Sequence, residues 1–367
     1  MSYELSIVIP CLNEEETLAK SILMAKDFIA NSGIATEIII ADNGSTDRSA
    51  EIAKSLGARV IEVKEKGYGS ALRGGIEAAN TEFIIMGDAD NSHDFTEILP
   101  FVEKLREGYD LVVGNRFDGG IVDGAMSFKN KYIGNPVLSF LGRLFFKTNI
   151  RDFHSGLRGF TKTAYRKMDL QTTGMEFASE MIVKASLLKL KTTEVPIVMH
   201  PDGRSRPPHL RPWRDGWRHL RFMLLYSPKW LFLFPGALFL LFGLIGMAYF
   251  IFSADYPIHI IYIRVPVFAG LSLLGFQFVI FYALTRVYAV QQKLMPKTKR
   301  YDGFFKIFTL EKGIVFGLLL MLSGFVLYFF KHKDFVLNVT AILLILFGLQ
   351  SILFGFFFSI LGLKKTL

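Results

Sequence analysis

The stretch TEFIIMGDADNSHDF, residues 81–95, places a short apolar run directly before two carboxylates, Asp88 and Asp90. A continuous apolar run of this length predicts a buried strand. A turn needs one acidic residue to cap the helix that follows, whereas a divalent metal ion needs more than one oxygen ligand. Taken alone, the pair fits either a helix cap beside a turn residue or a Mg²⁺ or Mn²⁺ site.

Strands and helices alternate around this stretch over residues 1–116. The other apolar runs are LSIVIP (5–10), EIIIADNG (37–44), ARVIEV (58–63) and YDLVVGNR (109–116). Because these runs are continuous and helical segments separate them, they predict an α/β domain with a mostly parallel sheet covered on both faces. Sheets of this kind bind ligands at the carboxyl ends of their strands, where Asp42, Asp88, Asp90 and Arg116 are found.

The stretch GYGSALRGG (67–75) is rich in glycine and precedes a helical pattern. Its backbone amides at Gly69 and the side chain of Arg73 could approach phosphate oxygens. Its spacing matches neither a Rossmann fingerprint nor a P-loop, which argues against a dehydrogenase or a P-loop ATPase. Close packing of a helix on a strand explains the glycines equally well.

Composition adds a membrane component to this domain. The chain has 367 residues, a net charge of +9, 51% hydrophobic residues and a mean hydropathy of +0.35, which is too high for an ordinary soluble protein. Its single cysteine, Cys11, excludes an internal disulfide and a Cys-based zinc site. The amino-terminal residues lack the pattern of a signal peptide, so we expect the catalytic half to stay in the cytoplasm.

The carboxyl-terminal third contains four apolar segments long enough to cross a bilayer, at about 231–252, 265–285, 314–330 and 336–362. The domains expected are therefore 1–212, an interfacial segment at 213–230, and a four-helix transmembrane domain at 231–367. Seven cations occupy the loop between the second and third segments: Arg286, Lys293, Lys297, Lys299, Arg300, Lys306 and Lys312. The loop 253–264 has only Arg264, so the positive-inside rule puts the catalytic domain and both termini in the cytoplasm.

Two basic segments are interpreted as lipid contacts. FLGRLFFK (140–147) is apolar with basic residues between and could lie on a bilayer surface. KLMPKTKRYDG (293–303) fits a topology signal and a lipid-headgroup contact better than a nucleic-acid site. No nucleic acid is expected as a partner.

The order of the motifs resembles glycosyltransferase family 2. IVIPCLNEEETL (7–18), IIIADNGSTDRS (38–49) and the D-x-D are followed by NRFDGG (115–120), DFHSGLRGF (152–160), EFASE (176–180) and EVPIVMHPDGRSRPP (194–208). This order is similar to the branch of dolichyl-phosphate mannose synthases and polyprenyl-phosphate glycosyltransferases over about the first 230 residues. The resemblance implies a nucleotide-sugar-binding domain of the GT-A type in front of the transmembrane domain.

The resemblance also implies roles for individual residues. Those expected at the nucleotide sugar are Pro10, Leu12, Glu14, Asp42, Gly69, Arg73, Asp88, Ala89 and Asp90, with Asp88 and Asp90 as metal ligands. Those expected at the reaction centre are Asp88, Asp90, Arg116, Asp152, Ser155, Arg158, Glu176 and Glu180. The acceptor phosphate would meet Arg116, Arg204, Ser205 and Arg206. Whether Ser92 or His93 joins the metal site is open.

The activity implied is transfer of a hexose, with inversion, from GDP-mannose or UDP-glucose to a polyprenyl or dolichyl phosphate in a prokaryotic plasma membrane. Leu12, Asn91-Ser92 and His200 depart from the pattern common in the family, so both donors stay open. A membrane-anchored polysaccharide synthase is an alternative, although the Q-x-x-R-W motif usual in such enzymes is absent from the sequence. A transporter or flippase subunit with a nucleotide-binding domain is a second alternative, and it would not need the D-x-D.

Overall fold

The computed structural model describes residues 3–205, 212–252, 257–292, 295–297, 309–331 and 334–363. The chain forms two compact units, 1–223 and 224–367, each taken by itself below. One helix, Pro212–Leu225, contains the division between the two units at residues 223 and 224. The boundaries expected at 212 and 230 stay predictions.

The first unit is built on one seven-stranded sheet. Its strands are β1 (Leu5–Cys11), β2 (Thr36–Asp42), β3 (Arg59–Glu62), β4 (Phe83–Met86), β5 (Leu111–Asn115), β6 (Arg158–Thr161) and β7 (Thr192–Pro196). They lie in the order β3-β2-β1-β4-β6-β5-β7, and all neighbouring pairs are parallel except those that include β6. The mostly parallel sheet is confirmed, as are the five strands predicted up to residue 116.

Helices cover the sheet and connect its strands. They are α1 (Leu18–Ser32), α2 (Ser49–Ser55), α3 (Tyr68–Ala78), α4 (Leu99–Arg106), α5 (Arg116–Gly119), α6 (Asn135–Phe146), α7 (Lys162–Met168), α8 (Phe177–Leu187) and α9 (Pro212–Leu225). A 3₁₀ turn, Phe95–Glu97, precedes α4, and a π-helical turn, Asn130–Gly134, precedes α6.

The core explains the apolar runs seen in the sequence. Every residue of β1 is buried, and α1 packs one face, with Leu18, Ile22 and Ala25, into the same core as Ile7. Each leucine or isoleucine among them contributes about 1.5–3 kcal/mol by leaving water. Gly75 of α3 lies so close to β1 that a Cβ would stand 2.6 Å from Val8, so this glycine serves close packing.

One side of α6 and of the segment before it is apolar and open. The exposed side chains are Phe128, Tyr132, Ile133, Val137, Phe140 and Leu144. Lys129 and Lys147, at either end, are exposed as well. An apolar helix face beside lysines is the composition of an element that lies on a membrane surface.

The second unit contains four long helices: α10 (Phe234–Phe252), α11 (Ile258–Gln291), α12 (Leu310–Lys331) and α13 (Phe335–Leu363). Among the described residues these helices, the first extended back to Lys229, are long and apolar enough to cross a membrane. Glycines allow close helix contacts, since a Cβ on Gly317 would stand 2.5 Å from the carbonyl of Gly348.

The second helix is longer than the apolar segment expected at this place. The segment predicted at 265–285 belongs to a helix of 34 residues that begins at Ile258, so Arg264 lies inside the helix and not in a loop. At 1.5 Å per residue this helix is about 50 Å long, which exceeds the apolar thickness of a bilayer. Lys364 and Lys365 lie outside the described residues, as do most cations of the 286–313 loop.

Candidate active site

The sheet brings the polar motifs to one edge. Since β1, β2, β4 and β5 run in the same direction, the residues that follow them lie at the same edge. β6 runs the other way, so its first residue, Arg158, pairs with Met86 at the end of β4. Asp42, Asp88, Arg116 and the 152–158 motif therefore meet at one edge, as the sequence predicted.

Asp88 is held by two side chains from outside the D-x-D. Tyr68 Oη donates a hydrogen bond of 2.8 Å to Asp88 Oδ1, and His93 Nε2 lies 3.5 Å from Asp88 Oδ2. Burial opposes the charge on Asp88, yet these contacts from His93 and Tyr68 lower the pKa of Asp88 below its ordinary value. A Cβ on Gly156 would collide with the same carboxylate, so this position favours glycine.

Asp90 keeps one oxygen toward the edge of the sheet. Its Oδ1 accepts hydrogen bonds from the backbone and hydroxyl of Ser92, at 3.0 and 2.6 Å. Asn91, between Asp90 and Ser92, has a φ of 64°, a left-handed conformation that asparagine tolerates. This conformation bends the chain between the two residues. Burial and the charge of Asp88 raise the pKa of Asp90. Ser92 supports Asp90 through this turn.

The loop after β7 folds back over the D-x-D. Gly203 N donates to Asp90 O at 2.9 Å. Arg204 forms a two-pronged contact with Glu14, at 2.7 and 2.9 Å, and its Nη1 lies 3.4 Å from Asp90 Oδ2. Ser205 donates its N–H and hydroxyl to Glu16. Arg206, the third predicted acceptor residue of this loop, lies outside the described residues.

Arg116 and Asp152 form a buried ion pair. Arg116 donates to both carboxylate oxygens of Asp152 at 2.7 Å, and Asp152 is fully buried. Burial opposes the charge on Asp152, but the Arg116 guanidinium lowers the pKa of that carboxyl. Arg116, expected to contact a phosphate, and Asp152, expected at the reaction centre, therefore lie together. The carboxylate of Asp152 balances the charge of Arg116.

Arg158 and Glu180, which were expected at the reaction centre, have enclosed positions. Arg158 is fully buried and donates to the carbonyl oxygens of Phe153, Ser155 and Ala178. Burial lowers the pKa of Arg158 to about 10, so it stays charged at neutral pH. Glu180 is fully buried as well. Arg158 holds the backbone at Phe153, Ser155 and Ala178, and Glu180 holds the backbone at Gln171 and Thr172.

Ser155 and Glu176 differ from these two residues. Ser155 Oγ and Glu176 Oε2 are buried atoms without a hydrogen-bond partner among the residues that the structure describes. A buried polar atom without a partner costs about 1–3 kcal/mol. Ser155 Oγ can donate to a phosphate oxygen, and Glu176 Oε2 can accept a hydrogen bond from a ligand hydroxyl.

The residues expected around the base are spread along the first two strands. Pro10 is buried within β1, opposite Ala41, and Ala89 is buried between the two carboxylates. Leu12 is exposed at the edge, and Asp42 accepts a hydrogen bond from Ser45 N at 3.1 Å. Asp42, Leu12 and Glu14 therefore follow neighbouring strands at the predicted edge.

The glycine-rich stretch has a different role from the predicted phosphate contact. Gly69 N donates to Thr173 O at 2.8 Å, so the first turn of α3 faces another loop. Arg73 lies 3.9 Å from Glu65 and lines a separate cavity of about 460 Å³ with Tyr165 and Asp169. The packing interpretation of these glycines is the one that the contacts support.

Two contacts at the site were missed from the sequence. Tyr68 belongs to the glycine-rich stretch, and nothing in that stretch indicates that its phenol would reach Asp88. Glu16 is the third acidic residue of the run after β1. Nothing in that run indicates that Glu16 would accept hydrogen bonds from Ser205.

Comparisons with known proteins identify the family of this chain. Residues 6–169 match the family model described as "Glycosyl transferase family 2", and residues 283–362 match "Glycosyltransferase family 2 C-terminal transmembrane region". The chain is 35% identical to the low-salt glycan biosynthesis hexosyltransferase Agl6 of Haloferax volcanii, over 98% of this chain and 89% of that protein. It is 28% identical to a dolichyl-phosphate hexose transferase of the same organism, over 53% and 82% of the two chains.

A solved structure matches part of the chain at lower similarity. Glucosyl-3-phosphoglycerate synthase of Mycobacterium tuberculosis, crystallised with Mn²⁺, UDP and its product, matches 61% of this chain and 78% of its own, at 20% identity and a TM-score of 0.47. The sequence matches carry the assignment: this chain is an integral membrane glycosyltransferase and belongs to glycosyltransferase family 2.

Proposed function

We propose that this enzyme transfers a hexose from a nucleotide sugar to a polyprenyl phosphate, with inversion at the anomeric carbon. One observation carries the proposal: Arg204 of the loop after β7 lies 3.4 Å from the second carboxylate of the D-x-D. A cation suited to an acceptor phosphate thus lies beside carboxylates suited to a donor and its metal ion. The name of the dolichyl-phosphate hexose transferase relative supports the same acceptor class.

The donor side rests on Asp88 and Asp90. Their side chains are 27% and 15% exposed, so both reach the surface at the edge of the sheet. Carboxylate oxygens are the ligands that Mg²⁺ and Mn²⁺ prefer, so these residues fit a divalent ion. When bound, the ion neutralises the diphosphate of the donor. Leu12, Glu14 and Asp42 would hold the nucleoside, and GDP-mannose and UDP-glucose are the two donors to test first.

The acceptor side needs cations more than it needs a base. A polyprenyl phosphate is already an anion near neutral pH, so its oxygen attacks the anomeric carbon without losing a proton to the protein. The new bond joins that oxygen to the anomeric carbon, and the electron pair of the broken bond leaves with the nucleoside diphosphate. Arg204 and Ser205 would orient the phosphate, and Ser155 Oγ has hydrogen-bonding capacity free for it.

The membrane unit fits an acceptor with an isoprenoid tail. Such a lipid stays in the bilayer and presents only its phosphate to an enzyme at the surface. The cations of the loop between the second and third apolar segments favour a cytoplasmic catalytic unit and cytoplasmic termini, where nucleotide sugars are available.

The test is a donor panel with the full chain in lipid nanodiscs. Each radiolabelled donor, GDP-mannose or UDP-glucose, is supplied with Mg²⁺ or Mn²⁺ and a polyprenyl phosphate, and label is counted after organic extraction. We expect label in the organic phase with one donor, sensitive to mild acid as a sugar phosphate ester is. The matched control is Asp90→Asn, which keeps the shape of the side chain and removes its charge.

Two outcomes would contradict the proposal. Label that stays in water or in a polymer with every donor would favour the polysaccharide synthase. Full turnover by Asp90→Asn would contradict the proposed role of the D-x-D in binding the donor.

A further inference from the structure

Asp88 and Asp90 are held by different parts of the chain. Asp88 Oδ1 accepts a 2.8 Å hydrogen bond from Tyr68 Oη, and Oδ2 faces His93 at 3.5 Å. Asp90 Oδ1 accepts from Ser92, two residues along the chain, and its Oδ2 faces Arg204 at 3.4 Å. The orientation of Asp88 therefore depends on a phenol that belongs to α3, twenty residues earlier.

Tyr68 is itself held in place by backbone contacts on both sides. Gly67 N donates to Asn43 Oδ1 at 2.7 Å, and Gly69 N donates to Thr173 O at 2.8 Å. Gly67 has a φ of 129°, which only glycine adopts readily, and a Cβ on Gly69 would stand 2.5 Å from Thr172 O. The first turn of α3 thus has little freedom to move the phenol away from Asp88.

The loop that holds this turn is fixed by Glu180. The carboxylate accepts hydrogen bonds from Gln171 N and Thr172 N, at 3.0 and 2.8 Å, and from the hydroxyl of Thr172 at 2.7 Å. Lys184, also buried, balances its charge at 2.9 Å. Glu180 therefore reaches the D-x-D through Thr173, α3 and Tyr68.

We propose that Tyr68 is a positioning residue that orients Asp88 for the divalent ion, and that Glu180 supports it through the 171–173 loop. The inference rests on the proposed function, since it needs the D-x-D to bind a metal ion. A carboxylate already fixed in one orientation loses less conformational freedom on binding. Partners that hydrogen-bond to metal ligands typically contribute about 10–100-fold in metal affinity.

The experiment uses Tyr68→Phe, which removes one oxygen atom and keeps the ring. Mn²⁺ binding to the full chain in nanodiscs is measured by electron paramagnetic resonance, without donor or acceptor. We expect the Kd for Mn²⁺ to rise about tenfold or more. We also expect saturating Mn²⁺ to restore most of the turnover, and the Tm to stay near that of the parent, which a purely structural role would not produce.

Two further variants separate the possible failures. Tyr109→Phe is the matched control, because the Tyr109 ring stacks under Lys191 at 4.3 Å, beside the amino end of β5 and away from the site. Its Mn²⁺ affinity should equal that of the parent. Asp90→Ala should lose Mn²⁺ binding if the metal site of the proposed function is correct.

The outcomes are distinct. Parent-like Mn²⁺ affinity in Tyr68→Phe, with binding lost in Asp90→Ala, would overturn the role of Tyr68 and leave the proposed function standing. A loss of turnover in Tyr68→Phe that saturating Mn²⁺ does not reverse would overturn the role as well. Unchanged Mn²⁺ binding in Asp90→Ala would contradict the metal site at the D-x-D, and this inference as well.

Discussion

The charged residues of the site divide into those enclosed by the protein and those with a side open to a ligand. Arg116, Asp152 and Glu180 have their charges balanced inside the fold. Asp90 and Arg204 are 15% and 12% exposed and reach the surface of the edge, although Arg204 is also paired with Glu14. The enclosed charges hold loops in place, and we expect the two exposed ones to meet ligands. Stability and activity should therefore respond to different substitutions.

Asp152→Asn tests the enclosed group. Removing one partner of a buried ion pair leaves the other uncompensated, which costs about 3–5 kcal/mol. We expect a clearly lower Tm for the full chain in detergent, and Asp123→Asn, at an exposed residue, should leave it unchanged.

The pH dependence of the pair has a definite sign. The pKa of Asp152 is lower in the fold than its ordinary value of 3.8, so the pair stabilises fully above about pH 4. That stability is lost as pH falls through the lowered value. The Tm difference between parent and Asp152→Asn should hence be constant near neutral pH and shrink in acid; a difference that grows in acid would contradict the assignment.

Arg204→Ala tests the open group, with opposite effects on two ligands. Arg204 neutralises Asp90 at 3.4 Å and so competes with a divalent cation. Removing it should tighten Mn²⁺ binding a few-fold, since a partly exposed pair contributes up to about 1 kcal/mol. The KM for polyprenyl phosphate should rise about tenfold or more through loss of a charge-assisted contact. Lower Mn²⁺ affinity, or an unchanged acceptor KM, would contradict this role; Arg166→Ala, on α7, is the control.

The contact between Arg204 and Glu14 marks the limit of prediction at the residue scale. The two residues are 190 positions apart, and each motif was found by itself. The identities of Asp88, Asp90 and Arg204 could be predicted because local patterns carry them. Their pairing could not, because it depends on how the loop after β7 folds across the sheet edge.

The elements show a similar limit. β1 to β5 were predicted because buried parallel strands are continuous apolar runs. β6, with the sequence RGFT, has four residues, and one of them is the buried Arg158. A charged residue in so short a strand gives no apolar run, and only pairing with β4 and β5 makes it a strand.

The apolar face of α6 gives a prediction at the element scale. Phe140 is 55% exposed between apolar neighbours, and burial of such a side chain in lipid gains about 1.5–3 kcal/mol. A fluorophore on Phe140→Cys, in a chain with Cys11→Ser, should be quenched by lipids that carry a spin label near the headgroup. Glu103→Cys on α4 is the matched site and should stay unquenched. Equal quenching at the two sites would contradict the prediction that α6 lies on the bilayer surface.

Four helices of the described residues are long and apolar enough to cross a membrane, which constrains the topology of the whole molecule. If each crosses once, the residues before α10 and those after α13 lie on one side, and residue 297, after two crossings, lies on that side too. Charge in the loops then decides which side this is, because lysine and arginine favour the cytoplasm. The sequence predicted four such helices because length and hydropathy decide their number, whereas α11 begins at Ile258, before the apolar segment expected at 265.

Single cysteines in the Cys11→Ser background test this orientation. Lys54→Cys, on the exposed side of α2, and Lys297→Cys should react with a membrane-impermeant maleimide in inverted vesicles and not in right-side-out vesicles. Ser253→Cys, in the expected external loop and outside the described residues, should show the reverse. The physical reason is the contrast between seven cations in residues 286–313 and one in residues 253–264. Labelling of Lys54→Cys and Lys297→Cys from opposite sides would contradict two crossings between them. Labelling of Lys54→Cys and Lys297→Cys from outside would mean the opposite orientation. The donor site would then have no access to cytoplasmic nucleotide sugars.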